Sequence, residues 1–399
     1  MKQIYRLLVI YHLLFFITSQ SAPGPVLIVI GTRPEGIKMI PVYYALKNQG
    51  IPTILCSTDQ HNELLKDDVF KSFNIKPDIS FNIMKPNQDL FYITNTVLDK
   101  MKELIQKIQP SFVLVQGDTT TAMAAALAAF YLKVPVGHVE AGLRTGNKYG
   151  PFPEEVNRTI IDIIANYHFV PTDLSVQNLL QENINPEHIF CTGNTVVDAL
   201  YIMKEKITRK ELAISKELEY IVNNAQSHNQ KLMLLTAHRR ESFNGGLANI
   251  FSAIKKLLEL HPELFVIYPV HPNPAIKQTL QESGLDQLPN IFITKPVEYT
   301  DLVYLLDSVD LVATDSGGIQ EEAVSLGKQV FVLRNETDRP EGVLHGIAQL
   351  VGTQQDNIIS KITDALTQEK RFYKNSIYGD GTASKQIVQI IINFLEQKE

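Results

Sequence analysis

Short apolar runs rich in β-branched residues recur along the chain, and each is followed by a turn and then a stretch with helical spacing. In the first half the runs fall at residues 26–30, 53–56, 112–115, 134–139, 168–170 and 189–192. In the second half they fall at 231–236, 265–270, 291–294, 311–314 and 329–333. Strand-like runs alternating with helical stretches predict βαβ units and parallel sheets. The runs are near-continuously apolar, which predicts strands covered on both faces. Between the two series, residues 198–230 are helical and polar, and the domain boundary is expected there. After the turn Tyr378-Gly379-Asp380-Gly381, Ile387, Ile390, Ile391 and Leu395 fall at helical spacing. The expected organisation is an α/β protein of two doubly wound parallel-sheet domains, residues 25–199 and 200–375, facing a cleft. A closing helix within 376–399 is expected to pack back on the first domain, and residues 1–24 stand outside the pattern. Doubly wound domains bind ligands at the carboxyl ends of their strands, so two of them facing each other place strand ends and helix starts around one cleft.

Composition narrows the function classes. A chain of 399 residues suits two domains, and 44% hydrophobic with 20% charged residues is ordinary globular usage. A net charge of −6 argues against a nucleic-acid partner, whose phosphates call for a basic surface. The two cysteines, Cys56 and Cys191, are far apart and belong to no CxxC pair, which excludes a disulfide framework or a thiolate zinc site and fits a reducing, cytoplasmic setting. Residues 1–24 pull the other way. Lys2 and Arg6, the apolar run 7–17 and Thr-Ser-Gln-Ser-Ala have the order of a signal peptide. Export or anchoring is one reading of that segment, and a dispensable extension is the other.

The charged motifs gather at the ends of the strand-like runs. The first run leads into Gly31-Thr32-Arg33-Pro34-Glu35-Gly36-Ile37-Lys38, a glycine turn whose N–H groups, with Arg33 and Lys38, suit a diphosphate. It matches neither a Walker A loop nor the GxGxxG fingerprint. Gln116-Gly117-Asp118-Thr119-Thr120-Thr121 presents Asp118 either as an N-cap or as a carboxylate aimed into the cleft. Glu140 closes another apolar run and needs a partner if buried, for which Arg144 is the nearest candidate in sequence. The segment 151–158 opens a helix at Pro153 and offers both Glu154 and Glu155 to the same cleft, beyond what helix capping requires. In the second half, His238, Arg239 and Arg240 end a strand and suit phosphate, with a salt bridge to Glu241 as the structural alternative. After Asp315, Ser316-Gly317-Gly318 opens a helix as an anion site, and Glu322 lies where a carboxylate could take ribose hydroxyls. Arg339 adds a cation at a further strand end.

Taken in order, these motifs resemble the non-hydrolysing UDP-N-acetylglucosamine 2-epimerases from about Pro25 to the C-terminus. The resemblance implies two Rossmann-like domains in a glycosyltransferase-B-like arrangement. It implies catalytic roles for Asp118, Glu140, Glu154 and His238, and UDP contacts for Arg33, Lys38, Ser316, Gly317, Gly318, Glu322 and Arg339. It also implies a homodimer, no metal and no cofactor, and in bacterial members a second UDP-GlcNAc as activator at a site that Gln60 and His61 match in part. Asp59 and Asn62 depart from that pattern where the family carries a small residue and an arginine, and Phe152 stands where many relatives have tryptophan. The implied reaction is reversible epimerisation at C2 to UDP-ManNAc, by elimination of UDP to a 2-acetamidoglucal and re-addition. The competing readings are a hydrolysing relative that releases ManNAc and UDP, a 2-epimerase of a modified UDP-HexNAc, a retaining glycosyltransferase on the same fold, and a non-catalytic UDP-sugar sensor.

Overall fold

A computed structural model describes residues 24–61, 65–239, 243, 245–367 and 376–397. The signal-like segment, Asn62, and the run Arg240-Glu241-Ser242 lie outside the described residues, apart from Gly24. Two parallel sheets form. The first has the order β3-β2-β1-β4-β5-β6-β7, with β1 Val26–Ile30, β2 Thr53–Ser57, β3 Ile79–Ser80, β4 Phe112–Gln116, β5 Val136–Val139, β6 Tyr167–Val170 and β7 Ile189–Cys191. The second has the order β10-β9-β8-β11-β12-β13, with β8 Lys231–Thr236, β9 Leu264–Pro269, β10 Ile291–Thr294, β11 Leu311–Thr314, β12 Gln329–Val332 and β13 Ala348–Leu350. Each order runs outward from its first strand and then reverses, so each sheet has a switch point: between β1 and β4 in one, between β8 and β11 in the other.

The apolar runs form the central strands, and β1 and β4 are buried along their whole length. That is the condition under which a parallel sheet covered by helices on both faces is stable. The two strands that the pattern does not predict, β3 and β13, are edge strands of two and three residues. So short a run carries no readable period, and pairing with β2 or β12 defines it instead. The fifth strand begins at Val136 rather than at 134, because Val134 and Pro135 belong to the turn that enters it.

Residues 198–230 contain most of one helix, Thr195–Thr208, and all of another, Lys216–Ser227. The first packs on helix Arg33–Asn48 of the first half and on helices Tyr299–Ser308 and Gly317–Ser325 of the second. The last helix, Ala383–Glu396, lies against Arg33–Asn48 and Thr195–Thr208. Its Phe394 ring meets Phe112 and Tyr167 edge-on, 5.2 and 5.4 Å between centroids. Its first turn is fixed by the buried Asp198 carboxylate, which accepts from the Ser384 backbone N–H at 2.8 Å and from its hydroxyl at 2.5 Å. No described helix is long and apolar enough to cross a membrane.

Candidate active site

A cavity of about 510 Å³ is lined from both halves of the chain by the segments that leave β1, β4, β5, β8 and β11. All the residues singled out for catalysis or UDP binding line it: Asp118, Glu140, Glu154 and His238, with Arg33, Lys38, Ser316, Gly317, Gly318, Glu322 and Arg339. Gln60 and His61 stand outside this lining. The Gln60 side-chain oxygen accepts from the Thr121 hydroxyl at 2.8 Å, and the His61 N–H donates to the Gly31 carbonyl at 3.0 Å. They therefore brace the turn after β1 and the helix that follows Asp118.

The strands β4 and β5 both end in left-handed backbone, at Gly117 (φ 65°) and Glu140 (φ 65°). For glutamate that conformation costs about 1 kcal/mol or more. It turns the Glu140 carboxylate out of the strand direction into a nest of donors. Lys38 Nζ forms a short ion pair with Oε2, Gln116 donates at 3.0 Å, Asn194 at 3.3 Å, and Arg339 Nη2 donates to Oε1 at 2.9 Å. Burial pushes the Glu140 carboxyl up, but Lys38 and then Arg339 outweigh it, and it titrates below the usual carboxylate range. Arg144, the partner expected from sequence, goes elsewhere. It binds Asp162 at 2.7 Å and Glu182 at 2.6 Å, while Glu140 lines the cavity.

Asp118 pairs with Arg158 at 2.5 Å and keeps 26% of its side chain exposed to the cavity. It is not the helix cap. The Thr119 hydroxyl accepts from the Ala122 N–H and fills that role, which leaves Asp118 free to face the cleft. Asp118 and Glu154 both titrate above their ordinary values, chiefly through burial, and each has a further carboxylate nearby. The two adjacent glutamates divide: Glu154 lines the cavity, but Glu155 turns away and accepts from the N–H groups of Thr145 and Gly146 at 3.0 and 2.9 Å. Glu155 thus ties down the loop ahead of the helix, and the expectation that both face the cleft is corrected.

The turn after β1 also differs from expectation. The Gly31 N–H is occupied by Glu35 Oε2 at 3.1 Å, so it is not offered to an anion. A Cβ on Gly31 would lie 2.5 Å from the hydroxyls of Thr58 and Thr121, so glycine is needed here for close packing. Glu35 Oε1 accepts from the Thr119 hydroxyl at 2.8 Å, linking the turns after β1 and β4 across the switch point. Burial raises the Glu35 carboxyl to about 7. Arg33 lines the cavity but also bridges the halves, its Nε 2.5 Å from Asp68 and its Nη2 3.4 Å from the Val297 carbonyl.

In the second half, helix Gly317–Ser325 starts at Ser316 with no side-chain cap, so the N–H groups of its first turn meet the cavity. Glu322 accepts from the Tyr299 hydroxyl at 2.8 Å, and burial raises it to about 7. Arg339 is held by Glu321 at 2.6 Å as well as by Glu140. His238 Nδ1 lies 3.2 Å from Asp315 Oδ1. Several residues in or beside the site drew no role from sequence: Glu35, Arg158, Asn194, Tyr299 and Asp315. Only Glu35 carried a spacing signal, since Thr32-x-x-Glu35 has the capping-box interval. Among the described residues no cluster of His, Cys, Asp and Glu could hold a metal ion.

A family model described as UDP-N-acetylglucosamine 2-epimerase matches residues 44–392. The UDP-N-acetylglucosamine 2-epimerase of Yersinia pestis is 44% identical over 376 residues, covering 92% of this chain and 98% of that protein. The crystal structure of UDP-GlcNAc 2-epimerase from Neisseria meningitidis bound to UDP-GlcNAc superposes with a TM-score of 0.84 at 43% identity, covering 92% of this chain and all of that one. The enzyme from Methanocaldococcus jannaschii in complex with UDP-GlcNAc and UDP gives 0.78 at 34% identity, over 92% of this chain and 99% of that one. The family match across most of the chain, with 44% identity and a shared fold over nearly the full length of these relatives, places the chain in the UDP-N-acetylglucosamine 2-epimerase family.

Proposed function

We propose that the chain interconverts UDP-GlcNAc and UDP-ManNAc without hydrolysis, by eliminating UDP from C1 and adding it back after inversion at C2. The C2 proton is not adjacent to a carbonyl and is poorly acidic. Departure of UDP builds oxocarbenium character at C1, which acidifies C2–H and lets a base form the 2-acetamidoglucal. Protonation from the other face and return of UDP complete the inversion.

The observation that carries this reading is the pairing of unlike carboxylates in one cavity. Asp118 and Glu154 are raised above their ordinary values, chiefly by burial, which suits groups that accept and deliver protons. Glu140 is held ionised by Lys38 and Arg339, which suits electrostatic support of developing positive charge. The helix start at Ser316–Gly318, with Arg33, Lys38 and Arg339 around it, supplies donors for the leaving diphosphate and retains it for re-addition. Glu322 fits the ribose. Incubation with UDP-GlcNAc in D2O, followed by NMR, tests the proposal. UDP-ManNAc labelled with deuterium at C2 is the expected product. Free ManNAc with UDP would assign a hydrolysing enzyme, and binding without turnover would assign a sensor.

The activator site and the oligomer belong to the same proposal. Gln60 and His61, beside the turn after β1, suit a second UDP-GlcNAc, although Asp59 there is buried and bonded to Ser57 at 2.5 Å. Phe91, Phe130, Tyr131 and Ile163 are exposed on the neighbouring helices Leu90–Ile108, Thr120–Tyr131 and Glu154–Ile164, which supports a homodimer through that face. A cytoplasmic setting agrees with Cys56 and Cys191, neither of which forms a disulfide.

A further inference from the structure

His238 follows β8 by two residues and Asp315 follows β11 by one, and these strands are neighbours with Thr236 opposite Thr314. That register, at the switch point of the second sheet, sets a buried carboxylate beside an imidazole whose side chain is 40% exposed to the cavity. Asp315 Oδ2 accepts two backbone N–H groups, from His238 at 2.6 Å and from Arg239 at 2.7 Å. Oδ1 lies 3.2 Å from His238 Nδ1. That contact is not aligned as a full hydrogen bond, and no other described group bonds Oδ1, so a small ring rotation would satisfy a buried acceptor. Burial pushes the Asp315 carboxyl up, but the adjacent His238 ring and the N–H groups of Arg239 and His238 bring it below the ordinary value. An ionised carboxylate only accepts, so the ring nitrogen facing it must carry hydrogen. The ring plane is fixed from a second side by His271, stacked at 7° with 5.5 Å between centroids. His271 is itself oriented by the Asn273 N–H, which donates to its Nδ1 at 3.2 Å.

We propose that Asp315 is a positioning residue that acts through His238: it holds the Nδ1–H tautomer and presents Nε2 to the cavity beside Ser316 and Gly317. The logic is that of any carboxylate–histidine pair, in which the carboxylate selects the tautomer and the aim of the ring without exchanging the proton itself. The place of His238 beside the leaving diphosphate rests on the epimerase reading. The tautomer does not, because it follows from Asp315 alone.

The test begins on the full-length wild-type protein, labelled with 15N in its histidine rings, with His238→Asn used to assign the resonance. At alkaline pH the expected spectrum has a protonated Nδ1 and a bare Nε2, the reverse of the form histidine favours in water. A wild-type spectrum with hydrogen on Nε2 alone overturns the proposal, whatever the substrate. Asp315→Asn is the second arm. The asparagine oxygen takes the two backbone N–H groups, its amide NH2 faces Nδ1, and the ring is forced to the other tautomer. Turnover should fall about 10³-fold with KM changed by less than about 3-fold, within the range known for such pairs. In a His238→Asn background the same substitution should cost less than about 3-fold more. Full multiplication of the two losses would overturn the proposal. A wild-type enzyme that shows the Nδ1–H form but turns over no UDP-GlcNAc would reject the epimerase reading and leave Asp315 in its role.

Discussion

The two switch points have the same topology and opposite chemistry. At the first, between β1 and β4, the strand ends project Glu35, Asp118 and, one strand further, Glu140 onto the cavity. At the second, between β8 and β11, Asp315 is turned inward onto His238 and two backbone N–H groups, and what meets the cavity is a helix start. The difference lies in who satisfies the carboxylate. Asp315 Oδ2 takes two N–H groups of its neighbouring strand end and Oδ1 faces the His238 ring, so its charge is met within its own half of the chain. Glu140 is met instead by Lys38 from the first helix and by Arg339 from across the cleft. The fold thus provides two equivalent platforms, and the residues at the strand ends decide whether the platform presents carboxylates or an open helix start.

Four substitutions sharpen or break that contrast. The largest effect is expected from Asp118→Asn, which keeps the shape of the first platform and removes its titrating group. Turnover and C2 deuterium exchange should both fall about 10³-fold with KM little changed. Undiminished exchange would remove Asp118 from the chemistry. Next, Arg339→Met strips the cation shared by Glu140 and Glu321. Leaving buried carboxylates without their partner should lower stability by about 3–5 kcal/mol in urea unfolding. A loss below about 1 kcal/mol would mean that the two halves are not joined through this pair.

A third test uses pH. The Glu35 carboxyl is raised from 4.5 to about 7 in the folded protein, so the folded state binds the extra proton between those values. Its contribution to stability is therefore complete below pH 4.5 and is lost as pH rises through 7. The full loss is about 3 kcal/mol. Glu35→Gln should flatten that part of the stability curve, gaining on the wild type as pH rises and levelling off above 7. Parallel curves for the two proteins would contradict it. The smallest structural effect is expected from Gly317→Ala. A Cβ there meets Asp338 at 3.7 Å and Arg239 at 4.0 Å, ordinary contacts, so the melting temperature should stay nearly unchanged. The methyl group would nevertheless crowd an anion at the helix start, and calorimetry should give about 10-fold weaker binding of UDP. Equal affinity would move the diphosphate away from this helix.

Much of the site was legible because strand ends are legible. Asp118, Glu140, His238 and Ser316 each lie within two residues of the end of an apolar run that is visible in the sequence, and a doubly wound fold sends such positions to one edge. Partners were not legible. Arg144 is four residues from Glu140, yet it faces Asp162 and Glu182, while Glu140 meets Arg339 almost two hundred positions away. Glu154 and Glu155 differ by one position and point to different tasks, because consecutive residues on a helix are turned well apart. The edge strands β3 and β13 were missed for a related reason, being too short to show a period and defined by a neighbour.

The sequence by itself determined the alternation of strands and helices, the two-sheet architecture and the ordered motifs that mark the family, because burial periodicity and turn chemistry are local properties. The tertiary structure alone decided the charge state of each carboxylate. Burial and opposite charge act through space, and they lower Glu140 while raising Asp118 and Glu154 within one cavity.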